Sequence, residues 1–489
     1  MVTQTLLGLC LNNLQYDEGK CRQNILSTYL CNHEVSQQDL EEHIEKCLAI
    51  EPISFAEHLQ VMQKLFCIAM ILSQKNTPQL KEKVLFKIRT TAYLETVWII
   101  QAYRAIVQQL LSGSTELSNK LSLESIIDAR AHFNELQKPD LLISTQLTGL
   151  GMVLAHRTNN ADLKEQAVQL AKWHLNFIDA QGQPLSSLWC AHNDYEPMQV
   201  LCSFYFMLYA AQKIAHLQCQ QLIDKLLSHI QSMAEHELHF IASYLLFLCE
   251  LVNLESCEQP ETLEEIHSKK GSFIDSTHAL QIITTPYIHA AFSLTGIHTG
   301  IGTLHCKDIK IVAIAPQVLP LNSFEQYGIY NPARSHSIPS HIRLDQNCLA
   351  GWTALSSINQ DKATEAFYYP SSIWMYTKIT HLEDKIQMQF SFAHQKLEKK
   401  LAIAFYVQAK TCHIDKKEYL SDSLAKYQDQ PKEIILRGKQ ASLSLHSCDA
   451  SLLHVIALGD SKKILHSHFL IAFEPNLDHN ECHITLKKD

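Results

Sequence analysis

A polar run between two predicted helices holds residue types that are suited to proton transfer. We call residues 189–197 the helical-half cluster; they read Trp-Cys-Ala-His-Asn-Asp-Tyr-Glu-Pro. A loop between helices needs a single capping Asn or Asp, so this density of polar side chains indicates a site. His192, Asn193 and Tyr195 can polarise a substrate or move a proton, and Trp189 can stack on a sugar ring. A capped helix start with an aromatic anchor explains the same run.

A second candidate lies in the other half of the chain. We call residues 327–343 the strand-half cluster; it is a long, polar, turn-rich stretch between β-prone runs. Tyr330, Arg334 and His336 are its predicted catalytic residues, and Tyr327 is predicted to bind substrate. Long loops on a rigid sheet scaffold often carry function. An ordinary surface loop is the competing interpretation.

Other common chemical signatures are missing from the sequence. There is no Walker loop, no dinucleotide fingerprint after a strand, no nucleophile elbow and no HExxH helix. The glycines of residues 296–302 predict a turn between strands. His236 and His239 have the wrong spacing for a zinc helix, and His466 with His468 is interpreted as coincidence among 27 His. We therefore predict no metal and no cofactor.

Composition excludes some partners and leaves the compartment open. The net charge is −9 and there is no long basic block, so nucleic acid is not an expected partner. No apolar run is long enough to predict membrane insertion, and the N-terminus lacks the basic region of a Sec signal. We expect a cytoplasmic protein, or one exported without a recognisable Sec signal. The 15 Cys include no CxxC pair and are predicted to be buried thiols.

The first half of the chain reads as successive helices. Ser54 to Glu57 has the pattern of a capping box, and a stripe of apolar residues follows it at helical spacing. Asn160 is predicted to cap a further helix, and Gly113 to end one. Short linkers between about ten or more helices suit an α/α toroid, an irregular bundle or a solenoid.

The spacing of the apolar residues changes near residue 270, from helical spacing to alternation. Residues 386–392 alternate apolar and polar, and other short β-prone runs follow without helices between them. Core packing accounts for most of Trp352, Trp374, Tyr368 and Tyr369. The predicted fold class is α+β multidomain, with an all-helical domain at residues 1–265 and an antiparallel β-sandwich at residues 271–489.

This domain order resembles that of the polysaccharide lyases of the heparin and chondroitin lyase type. The resemblance spans nearly the whole chain as a layout, and no family motif is matched. It implies a helical toroid, a β-sandwich and a substrate cleft between them. It also implies eliminative chemistry: a uronate carboxylate is neutralised, Tyr or His removes the proton from the adjacent carbon, and Tyr or His protonates the leaving oxygen as its bond to the sugar breaks.

Two readings of function remain open. The first is a carbohydrate-active enzyme, most simply an eliminative lyase for a uronate-containing glycan; a glycoside hydrolase is less favoured. The second is a non-catalytic binding or scaffold protein with the same layout, for a polysaccharide or a protein partner. The negative net charge and the lack of a secretion signal count against the lyase.

Overall fold

The computed structural model describes two compact units. The described residues are 37–52, 55–90, 98–117, 141–179, 181–185, 197–234, 248–249, 251–252, 264–265, 271–276, 279–297, 300–318, 340–360, 366–382, 385–393, 401–415, 417–430, 433–458, 467–476 and 480–489. The helical unit comprises Met1–Leu175, Gly182–Pro184 and Glu196–His267. The strand unit comprises Asn176–Gln181, Leu185–Tyr195 and Ser268–Asp489.

Helices make up most of the described part of the helical unit. Their bounds are α1 (Gln37–Leu48), α2 (Phe55–Ser73), α3 (Pro78–Thr90), α4 (Trp98–Ser112), α5 (Leu141–Thr158), α6 (Ala161–His174), α7 (Pro197–Ala215) and α8 (Gln220–Ala234). A 3₁₀ turn at Leu175–Phe177 follows α6.

The predicted helix start at Asn160 and the predicted helix end at Gly113 are confirmed. Ser54 of the predicted capping box lies outside the described residues. The Asn160 side chain accepts a hydrogen bond from the Leu163 amide at 3.0 Å, which satisfies one of the free donors at the start of α6. Gly113 follows the end of α4 with a φ of 72°, a left-handed conformation that favours glycine. The stripe of α6 from Leu163 to His174 is buried as its spacing predicts.

A short parallel bridge departs from the all-helical expectation for this unit. β1 (Leu217–Gln218) pairs with β2 (Glu264–Glu265). Glu264–Glu265, at the end of the predicted all-helical domain, is thus strand, because an extended stretch can satisfy its backbone by pairing with another extended stretch.

Two antiparallel sheets make up the strand unit. Their strands are β3 (Gly271–Asp275), β4 (Leu280–Thr284), β5 (His289–Ile297), β6 (Gly300–Cys306), β7 (Ile309–Val318), β8 (Ser340–Asp345), β9 (Cys348–Gln360), β10 (Ala366–Leu382), β11 (Lys385–Ala393), β12 (Leu401–Gln408), β13 (Thr411–Ile414), β14 (Lys417–Leu420), β15 (Leu424–Asp429), β16 (Ile434–Arg437), β17 (Ser442–Ser447), β18 (Leu452–Leu458), β19 (Phe469–Glu474) and β20 (Glu481–Lys488). Among the described residues, the first sheet has the order β15-β18-β19-β12-β7-β6-β5-β4-β3, and the second β14-β13-β16-β17-β20-β11-β10-β9-β8.

One hydrophobic core is shared by the two sheets. Phe292 and Phe405 of the first sheet and Phe390 of the second belong to the same buried cluster. Because side chains alternate across a strand, each sheet buries one set of residues in this core and turns the other set away from it. The order predicted from the sequence, helices followed by antiparallel strands, is confirmed.

Candidate functional site

The predicted site residues lie outside the part of the chain that the structure describes. They are Trp189, His192, Asn193 and Tyr195 of the helical-half cluster, and Tyr327, Tyr330, Arg334 and His336 of the strand-half cluster. Their predicted roles stay predictions.

The described residues place an aromatic group on the outer side of the second sheet. Along β10, Met375 and Ile379 enter the shared core. Trp374, Tyr376 and Lys378 alternate with these core residues and therefore lie on the opposite face. We call the outer side of β9, β10, β11 and β20 the aromatic face.

Two rings of this face form a cross-strand pair. Trp352 of β9 is the direct antiparallel partner of Tyr376. Their ring centroids are 5.4 Å apart with an interplanar angle of 50°. Trp374 lies two positions from Tyr376 and is 39% exposed. Aromatic pairs at this separation contribute to sheet stability and still offer ring surface to a ligand.

Polar side chains surround these rings. Ser391 of β11 is opposite Tyr376, and Gln389 is opposite Lys378. Continuing across the sheet, Glu481 pairs with Ser391 and His483 with Gln389. Rings, hydroxyls, amides and a lysine side by side supply both stacking and hydrogen bonding, which is the combination that sugar recognition needs.

This face corrects the assignment of two tryptophans to the core. Trp374 is exposed and Trp352 is half-buried, both on the outer face. The signal was present in the sequence, because Trp374 and Tyr376 share the parity of Lys378, a residue that is rarely buried. The side chains of Tyr368 and Tyr369 lie outside the described set.

The first sheet carries a different polar feature. Its members are consecutive cross-strand partners on β4, β5, β6, β7 and β12: Thr284, His289, His305, Lys310 and Gln408. Direct partners in antiparallel strands share a face, so the five side chains form one line, which we call the polar row. Ile283, Leu304 and Ile309 on the other face belong to the shared core. The two histidines are buried.

An aspartate from outside the sheet completes the polar row. His305 Nδ1 lies 3.3 Å from Asp179 Oδ2, and both side chains are buried. Burial lowers the pKa of His305, and the hydrogen bond that its ring donates to Asp179 opposes that effect only in part. Burial also lowers the pKa of Lys310, again against the attraction of Asp179. The polar row therefore places one carboxylate beside histidine and lysine side chains whose charged forms are disfavoured by burial.

The pKa of His289, in the same polar row, is also lowered. Burial, followed by the neighbouring His305, lowers its pKa to about 4. Its Nδ1 is 2.9 Å from the Thr284 hydroxyl. At pH 7 the His289 imidazole is therefore neutral. It fills space in the buried row and forms hydrogen bonds, but it carries no extra proton that it could donate as a general acid.

The helical unit contains a buried Ser–His pair. Ser144 Oγ lies 2.7 Å from His174 Nε2, and His174 Nδ1 lies 2.7 Å from the Leu170 carbonyl oxygen. Since a carbonyl only accepts, Nδ1 carries the proton and Nε2 accepts from the serine. The arrangement matches a nucleophile and its base, yet both side chains have no exposed surface. We assign it to the helix core.

Metal and membrane features can be assessed for the described residues only. No group of three or more His, Cys, Asp or Glu among them is placed to hold a metal ion. None of the helices found there has the length and apolarity to cross a bilayer. The cysteines among the described residues are buried, apart from the exposed Cys448.

Comparisons with known proteins give similarity at the level of structure. No protein-family model matches the chain, and no curated protein matches it. The chain is similar to the Streptomyces coelicolor A3 chondroitin AC lyase in complex with chondroitin sulphate, with a TM-score of 0.49 and 7% identity over 96% of this chain and 74% of that one.

Two further structures are of the same kind. A Paenibacillus xanthan lyase aligns with a TM-score of 0.34 and 7% identity over 93% of this chain and 57% of that one. A chondroitinase AC lyase solved with oligosaccharides aligns with a TM-score of 0.33 and 8% identity over 100% and 83%. Polysaccharide lyases are thus among the structures that this chain resembles, as its domain order predicted. Similarities of this size transfer neither an activity nor a residue role.

Proposed function

We propose that this protein binds an acidic polysaccharide on the aromatic face of its second sheet. The observation that carries the proposal is the Trp352–Tyr376 pair, with Trp374 exposed beside it and Lys378 next along the same strand. One exposed ring beside two half-buried rings on a polar sheet face indicates a binding surface, because apolar area left in water gains free energy when a ligand covers it.

Stacking explains why the ligand is a sugar. The C–H faces of a pyranose ring are apolar and flat, and they pack on Trp and Tyr rings while the ring hydroxyls reach neighbouring polar groups. Ser391, Gln389 and Lys378 lie in register around the rings and supply those groups. A protein partner would favour a larger apolar core than three rings set among polar side chains.

Charge explains why the sugar is acidic. Lys378, Lys385 and Lys487 occupy the aromatic face, and Glu481 is the acidic residue on its described strands. The whole chain carries a net charge of −9. The lysines of the aromatic face attract carboxylates, while the net negative charge of the whole chain repels other acidic proteins.

Elimination is the chemistry proposed for the bound polymer. It would use the residue types of the two sequence clusters, with Asn193 or Arg334 neutralising the uronate, and His192, Tyr195, Tyr330 or His336 moving the proton. The non-catalytic alternative has its own support. The aromatic face offers stacking and charge, and its histidine, His483, is already hydrogen-bonded to Asp449.

Binding and catalysis are tested separately with the full-length protein. The panel is hyaluronan, chondroitin sulphate, xanthan and polygalacturonate, with a neutral glucan as the reference. We expect binding to the acidic polymers, weakened at least about tenfold by Tyr376→Ala or Lys378→Ala, a loss of about 1.4 kcal/mol. Lys426→Ala removes an exposed lysine from β15 of the first sheet and is the matched control.

The outcomes distinguish the two halves of the proposal. Equal affinity of the Lys378→Ala and Lys426→Ala variants for every polymer would remove the aromatic face as the binding site. Ultraviolet absorbance from an unsaturated product would establish elimination. Binding without this product over prolonged incubation would leave a polysaccharide-binding protein.

A further inference from the structure

The residues of β10 that face outward form a continuous track. Trp374, Tyr376, Lys378 and Thr380 occupy alternate positions of the strand, and the residues between them face the core. At a rise of about 3.3 Å per residue, the track from Trp374 to Thr380 is about 20 Å long. A single sugar ring covers a fraction of this length.

The neighbouring strands leave this track accessible. Ala350 of β9 and Gln389 of β11 flank Lys378, and Ala393 of β11 flanks Trp374. Because the side chains beside the Trp374 ring are small, the ring projects above them, and a polymer can follow the track. Trp352 adds a second ring beside the track at the level of Tyr376.

The charges distinguish two possible directions for a polyanion. A polymer that crosses the strands at the level of Tyr376 passes Ser391 and reaches Glu481. A polymer that follows β10 passes Lys378 and then Thr380, and the described residues of β9, β10 and β11 place no acidic side chain beside this path. Asp345 of β8 lies two strands away at the level of Thr380 and is paired with Arg343. Carboxylates of the polymer are repelled on the first path and attracted on the second.

We infer that an acidic polysaccharide lies along β10, so that the aromatic face binds an internal segment of the polymer and not a chain end. This inference rests on the proposed function. Trp374 and Tyr376 stack on successive sugars, Lys378 pairs with a carboxylate, and Thr380 hydrogen-bonds at the far end of the segment.

The inference is tested with hyaluronan oligosaccharides of defined size and the full-length protein. We expect the hexasaccharide to bind at least about tenfold more tightly than the disaccharide, a difference of about 1.4 kcal/mol. Trp374→Ala and Thr380→Val change opposite ends of the track, and both weaken hexasaccharide binding. Against the disaccharide, at most one of the two has an effect, because two sugars cannot reach both ends.

Glu481→Gln tests the direction of the polymer. On the β10 path this variant leaves hexasaccharide affinity unchanged. On the crossing path it strengthens binding severalfold by removing the repulsion, while Trp374→Ala and Thr380→Val have no effect, and this set of results overturns the inference. Equal affinities of the disaccharide and hexasaccharide overturn it as well, but leave the proposed function standing. Failure of the intact polymer and of all oligosaccharides to bind removes the proposed function itself.

Discussion

His305 Nδ1 lies 3.3 Å from Asp179 Oδ2, in a buried contact between residues 126 positions apart. The aspartate belongs to the short segment Asn176–Gln181, which is part of the strand unit although helices precede and follow it in the chain. Its other oxygen accepts the Gln181 amide at 2.8 Å. One carboxylate thus shapes its own segment and holds it to the first sheet.

Asp179→Ala should be strongly destabilising. It removes the acceptor from a buried imidazole and the anion near Lys310, and a buried polar group left without its partner costs about 1–3 kcal/mol, or more where the group is charged. Asp179→Asn should cost less, because its side-chain oxygen can still accept the Gln181 amide. Urea unfolding of the two variants measures the difference. Equal free energies of unfolding for Asp179→Ala and the wild type would show that the contact does not hold the segment.

Acid should destabilise the strand unit through the polar row. Burial lowers the pKa of folded His289 to about 4, below the value of an unfolded histidine. The unfolded chain therefore takes up the proton first, and the stability that His289 contributes above pH 6.5 is lost as the pH falls from about 6.5 to 4. The slope for one group is at most about 1.4 kcal/mol per pH unit.

His289→Gln tests this origin of acid sensitivity. Glutamine does not titrate, so we expect a flatter dependence of the urea midpoint on pH between 7 and 5. His446→Gln, at an exposed position of β17, is the matched control and should keep the wild-type slope. Parallel curves for wild type and His289→Gln would assign the acid sensitivity to other groups, such as His305.

The elements were predictable because each depends on local pattern. The Asn160 cap, the end of α4 at Gly113 and the alternation along β11 can all be read from a few neighbouring residues. The two-residue bridge of β1 and β2 was not, since it depends on pairing between positions far apart.

The candidate site was less predictable. Core packing was the prediction for Trp352 and Trp374, although Lys378, at the same parity as Trp374, indicates an outward face. The contact of Asp179 with His305 joins segments separated by several helices and strands, and a single sequence carries no signal for such a pair. The candidate site residues of the two sequence clusters lie outside the described residues, and their roles stay predictions.

Ser144→Ala should lower the stability of the helical unit. His174 Nε2 would lose the hydroxyl that donates to it in a site with no exposed surface, and an unsatisfied buried acceptor costs about 1–3 kcal/mol. Ser112→Ala, at the exposed end of α4, should cost little. Thermal unfolding compares the two. Labelling of folded wild type at Ser144 by a serine-directed phosphonate would contradict its assignment to the core.

Gly149→Ala should destabilise the packing of α5 on α7. A Cβ at this position would lie 2.5 Å from Cε1 of Phe206, whose ring is fully buried. Overpacking of this kind costs about 1–3 kcal/mol. Phe206→Leu in the same chain should recover part of the loss by freeing space, which a double-mutant cycle in urea detects. If the losses of stability from Gly149→Ala and Phe206→Leu simply add in the double variant, the cost of Gly149→Ala does not come from contact with the Phe206 ring.

Trp374 and Met375 are sequence neighbours with opposite roles, and they give the sharpest check on the aromatic face. Met375 is buried in the shared core, so Met375→Ala should cost about 2–5 kcal/mol of stability and leave polysaccharide affinity unchanged while the protein is folded. Trp374 is 39% exposed, so Trp374→Ala should change stability by only about 0.5 kcal/mol and weaken binding. Urea unfolding and calorimetric titration with hyaluronan measure both quantities for both variants. If Trp374→Ala unfolds as readily as Met375→Ala, the ring stabilises the fold and the outward face is not a binding surface.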